Sequence, residues 1–136
     1  PFVSVYEAYK KSGPNVLGVE ALQGDDGSTG VKVNTADGYA DYLFTATDMQ
    51  AHHPSKRVSF CGRLGLIREK EGQIQLMYLG CGRSLKKGNF VLESDHDVYA
   101  AIYMQHGVWY YSATGPVRVK IGKETKKLNE GYNQKL

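Results

Sequence analysis

Residues 57–93, with the sequence RVSFCGRLGLIREKEGQIQLMYLGCGRSLKKGNFVLE, predict a long β-hairpin. Apolar residues flank a short polar segment at 70–72, KEG, which fits a three-residue loop with glycine in the left-handed position. Closing that loop between Glu69 and Gln73 sets the register, because side chains then alternate between two faces of the hairpin. The expected core face carries two apolar cross-strand pairs, Leu66 with Leu76 and Leu64 with Tyr78.

The same register places the two cysteines of the chain, Cys61 and Cys81, opposite each other. A disulfide between them is geometrically conceivable. However, the pair falls at a hydrogen-bonded position, whose wider spacing suits free neighbours better than a relaxed bridge, and the surrounding glycines favour bulges. We therefore expect two small buried thiols, with the disulfide as the alternative. No CxxC motif or neighbouring histidine completes a metal-ligand set, so no metal site is expected.

Outside the hairpin, hydrophobic spacing also has the two-residue period of β-strands, and glycine-rich or polar turns separate the segments. This pattern predicts an antiparallel β-sandwich of about ten short strands, with an open barrel as the alternative. We expect one such domain over residues 1–121 and a polar C-terminal tail over residues 122–136. The predicted strands are 2–9, 16–22, 29–34, 39–46, 58–69, 73–79, 89–93, 98–104, 108–112 and 116–121.

Composition is that of an ordinary globular domain, with 136 residues, of which 41% are hydrophobic and 23% charged. No apolar run is long enough to span a membrane. The net charge of +3 comes from cations spread along the chain, so we expect weak attraction to polyanions and no nucleic-acid partner. Because the chain opens on proline and an apolar strand-like run, we expect it to be cut from a longer polypeptide.

Histidines are the main candidates for chemistry, and His52 and His53 lie in the predicted loop MQAHHPSKR. General acid/base catalysis needs a histidine held by a second group, which sequence alone does not show. We expect a solvated loop with two exposed imidazoles. The segment GDDGSTG at 24–30 lacks the full pattern of a calcium loop and predicts a flexible turn. No nucleophile elbow or phosphate loop is present, so we expect no catalytic residue and no cofactor.

Aromatic residues suggest a binding function, because tyrosine and tryptophan combine a flat apolar face with a polar edge that suits sugar rings. Five of them lie on two successive predicted strands. The alternative is that they fill the space between the sheets, and a row exposed together would favour binding. The candidates for carbohydrate binding are Tyr99, Tyr103, Trp109, Tyr110 and Tyr111.

Four segments together resemble the C-terminal β-region of heparinase II/III-like polysaccharide lyases: PFVSVYEAYK at the start, DYLF at 41–44, FCGRLGLIREKEGQIQLMYLGCGRSLKKGNFVLES at 60–94 and GVWYYSATGPVRVKI at 107–121. The resemblance implies a secreted or periplasmic enzyme with an α/α toroid and β-sandwich regions, which cleaves uronate-containing glycans by β-elimination. The catalytic base and acid of that family come chiefly from segments absent here, so no catalytic residue is carried over.

Under this resemblance, the expected partners are an upstream catalytic domain of the same polypeptide and an acidic polysaccharide. The fragment is expected to be inactive alone. Two alternatives of other classes remain: an independent carbohydrate-binding module that uses Tyr and Trp stacking, and a protein interaction module with an open sheet edge.

Overall fold

The computed structural model describes residues 4, 5, 7, 13–25 and 27–136. Within these residues it contains strands and turns and no helix, so none of the described residues forms a helix that could cross a membrane. The strand predicted for residues 2–9 lies mostly outside the described residues. The strands are β1 Val16–Leu22, β2 Ser28–Thr35, β3 Tyr39–Ala46, β4 His52–Ser55, β5 Val58–Lys70, β6 Gln73–Lys87, β7 Phe90–Gln105, β8 Val108–Ala113, β9 Val117–Ile121, β10 Glu124–Leu128 and β11 Gly131–Lys135.

All pairs of neighbouring strands are antiparallel, and the sheet does not close into a barrel. Its main path runs β1-β2-β3-β5-β6-β7-β8-β11, while β4 joins β5, and β9 joins both β7 and β10. The predicted antiparallel β-sandwich is therefore confirmed, although β5, β6 and β7 are long, with 13, 15 and 16 residues.

The three long strands contribute to two layers. In the first layer, the ends of the long strands near the 71–72 turn pair with one another and with β3 and β8. β2 and β1 extend this layer beyond β3, and β11 extends it beyond β8. In the second layer, the opposite ends of the long strands pair with β4 and β9, and β10 extends the layer beyond β9. Buried residues of both layers belong to one hydrophobic cluster, which is how a sandwich buries the inner faces of its sheets. The side chains at its centre are Phe44, Phe60, Ile67, Met77, Leu79, Leu85, Leu92 and Ile102.

The predicted register of the hairpin is wrong. Glu71 and Gly72 have φ values of 51° and 77°, so the strands join through a two-residue turn of the type I′ kind, and Lys70 pairs with Gln73. A bulge beside Arg68 then shifts the pairing again, so that Leu66 lies opposite Tyr78 and Leu64 opposite Gly80.

The predicted core face is also wrong, for a separate reason. Leu64 exposes 38% of its surface, and the other three residues predicted for that face, Leu66, Leu76 and Tyr78, are half-buried. The face that carries Phe60, Ile67, Met77 and Leu79 is buried instead. At Leu66 the observed pairing differs from the predicted one by two residues, so the four residues still share one face of the hairpin, and the error lies in which face packs into the core.

The two cysteines are free and half-buried, so the structure contains no disulfide between them. Cys61 pairs with Ser84 rather than with Cys81, because the register shifts beside Cys61 and Gly62. Its thiol lies 3.0 Å from the carbonyl oxygen of Met49, to which it donates. Cys81 has a φ of 47° at an irregular part of β6. The predicted bulges thus separate the pair.

The segment 122–136 is not a tail, and this prediction is also wrong. β10 pairs with β9 through five residue pairs, and β11 pairs with β8. Leu128 and Leu136 pack against the core cluster, while most other side chains of the two strands are exposed. Because backbone pairing at the rim of a sandwich needs few apolar side chains, the polar composition concealed these strands.

Candidate carbohydrate-binding face

Six tyrosines lie on the outer surface of the first layer, which we call the tyrosine face. Strand alternation puts them there: on β7, Val98, Ala100 and Ile102 point into the core, whereas Tyr99 and Tyr103 point outward. Cross-strand pairing then brings Tyr110 of β8 beside Tyr103. The members of the tyrosine face are Tyr39, Tyr78, Tyr99, Tyr103, Tyr110 and Tyr132.

The centre of the tyrosine face is a stacked pair. The rings of Tyr103 and Tyr110 are 6.0 Å apart with an angle of 18° between their planes. The hydroxyl group of Tyr103 donates to the side-chain oxygen of Asn133 on β11. This arrangement holds the Tyr103 ring in position, which lowers the conformational entropy that a ligand would have to remove.

One end of the tyrosine face is a groove of about 670 Å³ whose aromatic walls are Tyr78, Tyr99 and Tyr132. Tyr99 and Tyr132 expose 54% and 83% of their surfaces. Ser112, Thr114 and Glu130 also line this groove. Flat apolar rings beside hydrogen-bonding groups match the two kinds of surface on a sugar ring.

At the other end, Tyr39 lies between two cations. The guanidinium carbon of Arg68 is 5.1 Å from the centre of the Tyr39 ring, and the amino nitrogen of Lys70 is 4.9 Å from it. Arg68 also donates two hydrogen bonds to the carboxylate of Asp41, at 2.7 and 2.6 Å. These bonds raise the pKa of Arg68 and fix its side chain over the ring.

Of the five aromatic residues predicted to bind carbohydrate, three lie on the tyrosine face and two pack elsewhere. Tyr99, Tyr103 and Tyr110 lie on the tyrosine face. Tyr111 is buried in the core, with 9% of its surface exposed, and Trp109 packs against Phe90 with ring centres 5.8 Å apart. Adjacent residues on a strand point to opposite faces, so Tyr110 and Tyr111 could not both belong to one platform.

Sequence reasoning missed three members of the tyrosine face. Tyr132 lies in the predicted tail, Tyr78 lies on the predicted core face, and Tyr39 begins the strand predicted for residues 39–46. No local signal identifies them as a group, because only the pairing of strands distant in sequence makes them neighbours.

A second cluster surrounds His52, and here the prediction of an exposed loop imidazole is wrong. His52 begins β4 and exposes 7% of its surface, whereas His53 is exposed. The Nδ1 atom of His52 is 3.0 Å from Asp25 Oδ1, and its Nε2 atom is 2.7 Å from Asp48 Oδ1. With a carboxylate on each ring nitrogen, the imidazole satisfies both only as a doubly protonated cation.

The pKa values around His52 shift in the directions that favour this charged cluster. Hydrogen bonding to Asp48 raises the pKa of His52 most, with a further contribution from Asp25. The backbone N–H of His53 lowers the pKa of Asp25 most, and the backbone N–H of Gln50 does so for Asp48. Both ring nitrogens are occupied, so neither is free to take a proton from a ligand.

The predicted 24–30 turn supplies one of these carboxylates. Asp25 accepts hydrogen bonds from the Ser28 hydroxyl at 2.8 Å and from the backbone N–H of His53 at 2.6 Å. Gly27 allows the imidazole to pack against the turn, since a Cβ atom there would lie 2.0 Å from the ring of His52. In the part of the chain that the structure describes, no group of three acidic, histidine or cysteine side chains is arranged to hold a metal ion.

The described residues form an all-β sandwich with tyrosines on the outer surface of its first layer. Residues 16–104 match the family described as the endo-acting ulvan lyase C-terminal domain, and this chain belongs to that family. The matched residues include all of β1 to β6 and nearly all of β7.

Among curated proteins, the chain is 33% identical over 101 residues to the endo-acting ulvan lyase of Formosa agariphila strain DSM 15362. The alignment covers 70% of this chain and 12% of that enzyme, so the chain spans only a small part of its relative. No solved structure matches the chain. The resemblance to the C-terminal region of a polysaccharide lyase is confirmed at this level, whereas the match does not support the heparinase II/III-like group in particular.

Proposed function

We propose that this domain is a non-catalytic part of a polysaccharide lyase and that its tyrosine face holds the acidic polysaccharide for a catalytic domain elsewhere in the polypeptide. The exposed tyrosines on one sheet surface are the observation that supports binding. The relative named an ulvan lyase makes ulvan the first ligand to test, in place of the glycans of heparinase II/III-like enzymes. Because such polymers occur outside cells, we propose an extracellular or periplasmic location and cleavage by β-elimination in the whole enzyme.

The geometry favours binding along a chain of sugars over recognition of a single small molecule. The grooves at the two ends of the tyrosine face have volumes of about 670 and 470 Å³, and both are open to solvent. The Tyr103 and Tyr110 pair lies between them, with Tyr103 lining the second groove. Open grooves lined by aromatic rings accept a polymer from the side, so an internal stretch of glycan can bind.

The direct test is titration of the domain with ulvan by isothermal calorimetry. Replacing Tyr99 and Tyr132 by alanine removes the two most exposed rings of the groove and should weaken binding about thirtyfold, since each of the two lost stacking contacts contributes about 1 kcal/mol. Thermal unfolding should be nearly unchanged, because both side chains are exposed.

The matched control replaces the same two tyrosines by phenylalanine. This change keeps the rings and removes the hydroxyl groups, so stacking predicts that most of the affinity remains. Binding by the alanine variant equal to that of the unchanged domain would rule out the tyrosine face as the site. No binding of ulvan at millimolar sugar concentration would reject glycan binding by this domain altogether.

In the complete lyase, the tyrosine face should affect binding of the polymer and not the rate of the chemical step. The alanine variant should raise KM for the polymer and leave kcat nearly unchanged, because the tyrosines contribute binding that is the same in the ground state and the transition state. A large fall in kcat would instead indicate that this domain contributes to the catalytic centre.

A further inference from the structure

The outer surface of the second layer carries a group of cations, which we call the basic face. Two rows of residues cross the strands β6, β7, β9 and β10. One row is Ser84, Glu93, Arg118 and Lys127, and the next row is Lys86, Val91, Lys120 and Thr125. The inner faces of the same strands carry the buried Leu85, Leu92, Val117 and Val119, so these rows point away from the core.

The basic face has more positive charge than its own carboxylate can balance. Glu93 is shared between two cations: the amino nitrogen of Lys86 lies 2.9 Å from one carboxylate oxygen, and the Arg118 guanidinium contacts the other. Neither Lys120 nor Lys127 has a carboxylate oxygen within 4.0 Å in the described part of the chain. Within these two rows, four cations therefore face one anion, Glu93, and the next carboxylate along the surface is Asp95.

The arrangement of these cations is unfavourable for the isolated domain. Arg118 and Lys127 lie directly opposite each other on neighbouring strands. Like charges in this position destabilise a sheet, and Lys120 adds a third cation one row away. An anion bound between them would relieve the repulsion.

The basic face also has a shape that accepts a polymer. A groove of about 810 Å³ runs beside Arg118 and Lys127 and continues past Ser94, Asp95 and Asn129 to Arg83. A smaller hollow of about 190 Å³ lies between Lys86, Arg118 and Lys120. Arg83 itself is bound to Asp97 at 2.7 Å, so the unbalanced charge lies at the end of the groove formed by β9 and β10.

We propose that the basic face is a second glycan-binding site, which takes the anionic groups of an acidic polysaccharide, either uronate carboxylates or sulfate esters. The inference rests on the proposed function, because it assumes that the same class of polymer reaches this domain. It adds a division of roles: the tyrosine face stacks on sugar rings, and the basic face binds the charges of the polymer. Ion pairing of this kind weakens as salt screens the charges.

The test is affinity electrophoresis of this chain in gels containing polygalacturonate, dextran sulfate or neutral dextran, at low and at physiological salt. Polygalacturonate presents carboxylates and dextran sulfate presents sulfates, so the two gels distinguish the sources of negative charge. Replacing Lys120 and Lys127 by alanine should weaken binding to at least one acidic polymer about fivefold at low salt and less at physiological salt. The variant with Lys32 and Lys56 replaced by alanine is the control, since it loses the same charge elsewhere on the surface.

An equal loss in both double variants would overturn the inference, because net charge rather than the basic face would then control binding. It would also be overturned if the unchanged domain bound neither acidic polymer, or if a short single-stranded DNA bound as tightly and lost its affinity in the same variant. The tyrosine variant separates the two proposals: if Tyr99→Ala with Tyr132→Ala weakens ulvan binding and the lysine variant weakens binding to no acidic polymer, the tyrosine face stands and the basic face is rejected.

Discussion

At the scale of single residues, His52 shows how a side chain expected in solvent becomes a structural centre. Its two carboxylate partners come from the turn before β2 and from the segment after β3, at 3.0 and 2.7 Å. The cluster therefore ties both segments to β4. Asp25 lies 27 residues before His52 in the sequence, and Asp48 lies four residues before it. Neither spacing identifies a hydrogen-bond partner in a chain of strands and turns, so only the folded structure reveals the contacts.

The raised pKa of His52 makes stability depend on pH. Its charged form is favoured in the folded state, so the stabilisation is fully present below the unfolded pKa of 6.5 and is lost as the pH rises through the higher folded pKa. The lowered pKa values of Asp25 and Asp48 have the opposite effect, and their stabilisation disappears as the pH falls through those values. We expect the free energy of unfolding, measured with urea between about pH 5 and 9, to fall toward the alkaline end.

Two histidine variants test this explanation. His52→Gln should be less stable than the unchanged domain at pH 6 and should lose most of the fall between neutral and alkaline pH. His53→Gln changes an exposed histidine one residue away and should keep both the stability and the pH dependence. An unchanged pH profile for His52→Gln would show that another group causes the dependence.

At the scale of elements, two strands were predicted with their observed bounds. The bounds predicted for β1 and β3, 16–22 and 39–46, agree with the structure. β4 lies in a segment predicted to be a loop, because it is short and contains proline. β10 and β11 lie in the predicted tail, because most of their side chains are polar. A single sequence reveals a strand through its side chains, whereas β10 and β11 are held largely by backbone pairing.

The hairpin turn offers a second prediction at this scale. Glu71 has a φ of 51°, in the left-handed region that asparagine tolerates far better than glutamate, and Gly72 follows with a φ of 77°. Glu71→Asn creates the preferred dipeptide of this turn and should raise the free energy of unfolding by about 0.5 kcal/mol.

Urea denaturation measures that gain, and Glu124→Asn is a suitable control because Glu124 is exposed, lies on β10 and has no positive φ. A Glu71→Asn variant that is less stable than the unchanged domain would contradict the turn geometry.

At the scale of the whole molecule, the last fourteen residues decide whether the sandwich is complete. Deleting residues 123–136 removes β10 and β11, leaves unpaired edges on β8 and β9, and uncovers core side chains that Leu128 and Leu136 contact. We expect the deletion to lower the free energy of unfolding by at least about 2 kcal/mol, the contribution of burying one large apolar side chain. If residues 123–136 were an unstructured tail, the deletion would leave the free energy of unfolding unchanged.

Thermal and urea unfolding of the truncated chain distinguish these outcomes. Leu128→Ser together with Leu136→Ser is the companion variant, since it keeps both strands and removes only their apolar contacts; it should be destabilised less than the deletion. The deletion also removes Tyr132 and Lys127, so it should weaken glycan binding at both proposed surfaces.

The sequence by itself determined the all-β class, the antiparallel sandwich and the positions of most strands, because a two-residue hydrophobic period is a local property of the chain. The tertiary structure alone decided the register of the long hairpin, the separation of Cys61 from Cys81 and the membership of both surfaces. Bulges and a two-residue turn set the register; the glycines beside Cys61 and Cys81 indicated bulges but not how far each shifts the pairing. Pairing at about 4.8 Å between strands then makes neighbours of tyrosines and cations that lie far apart in sequence.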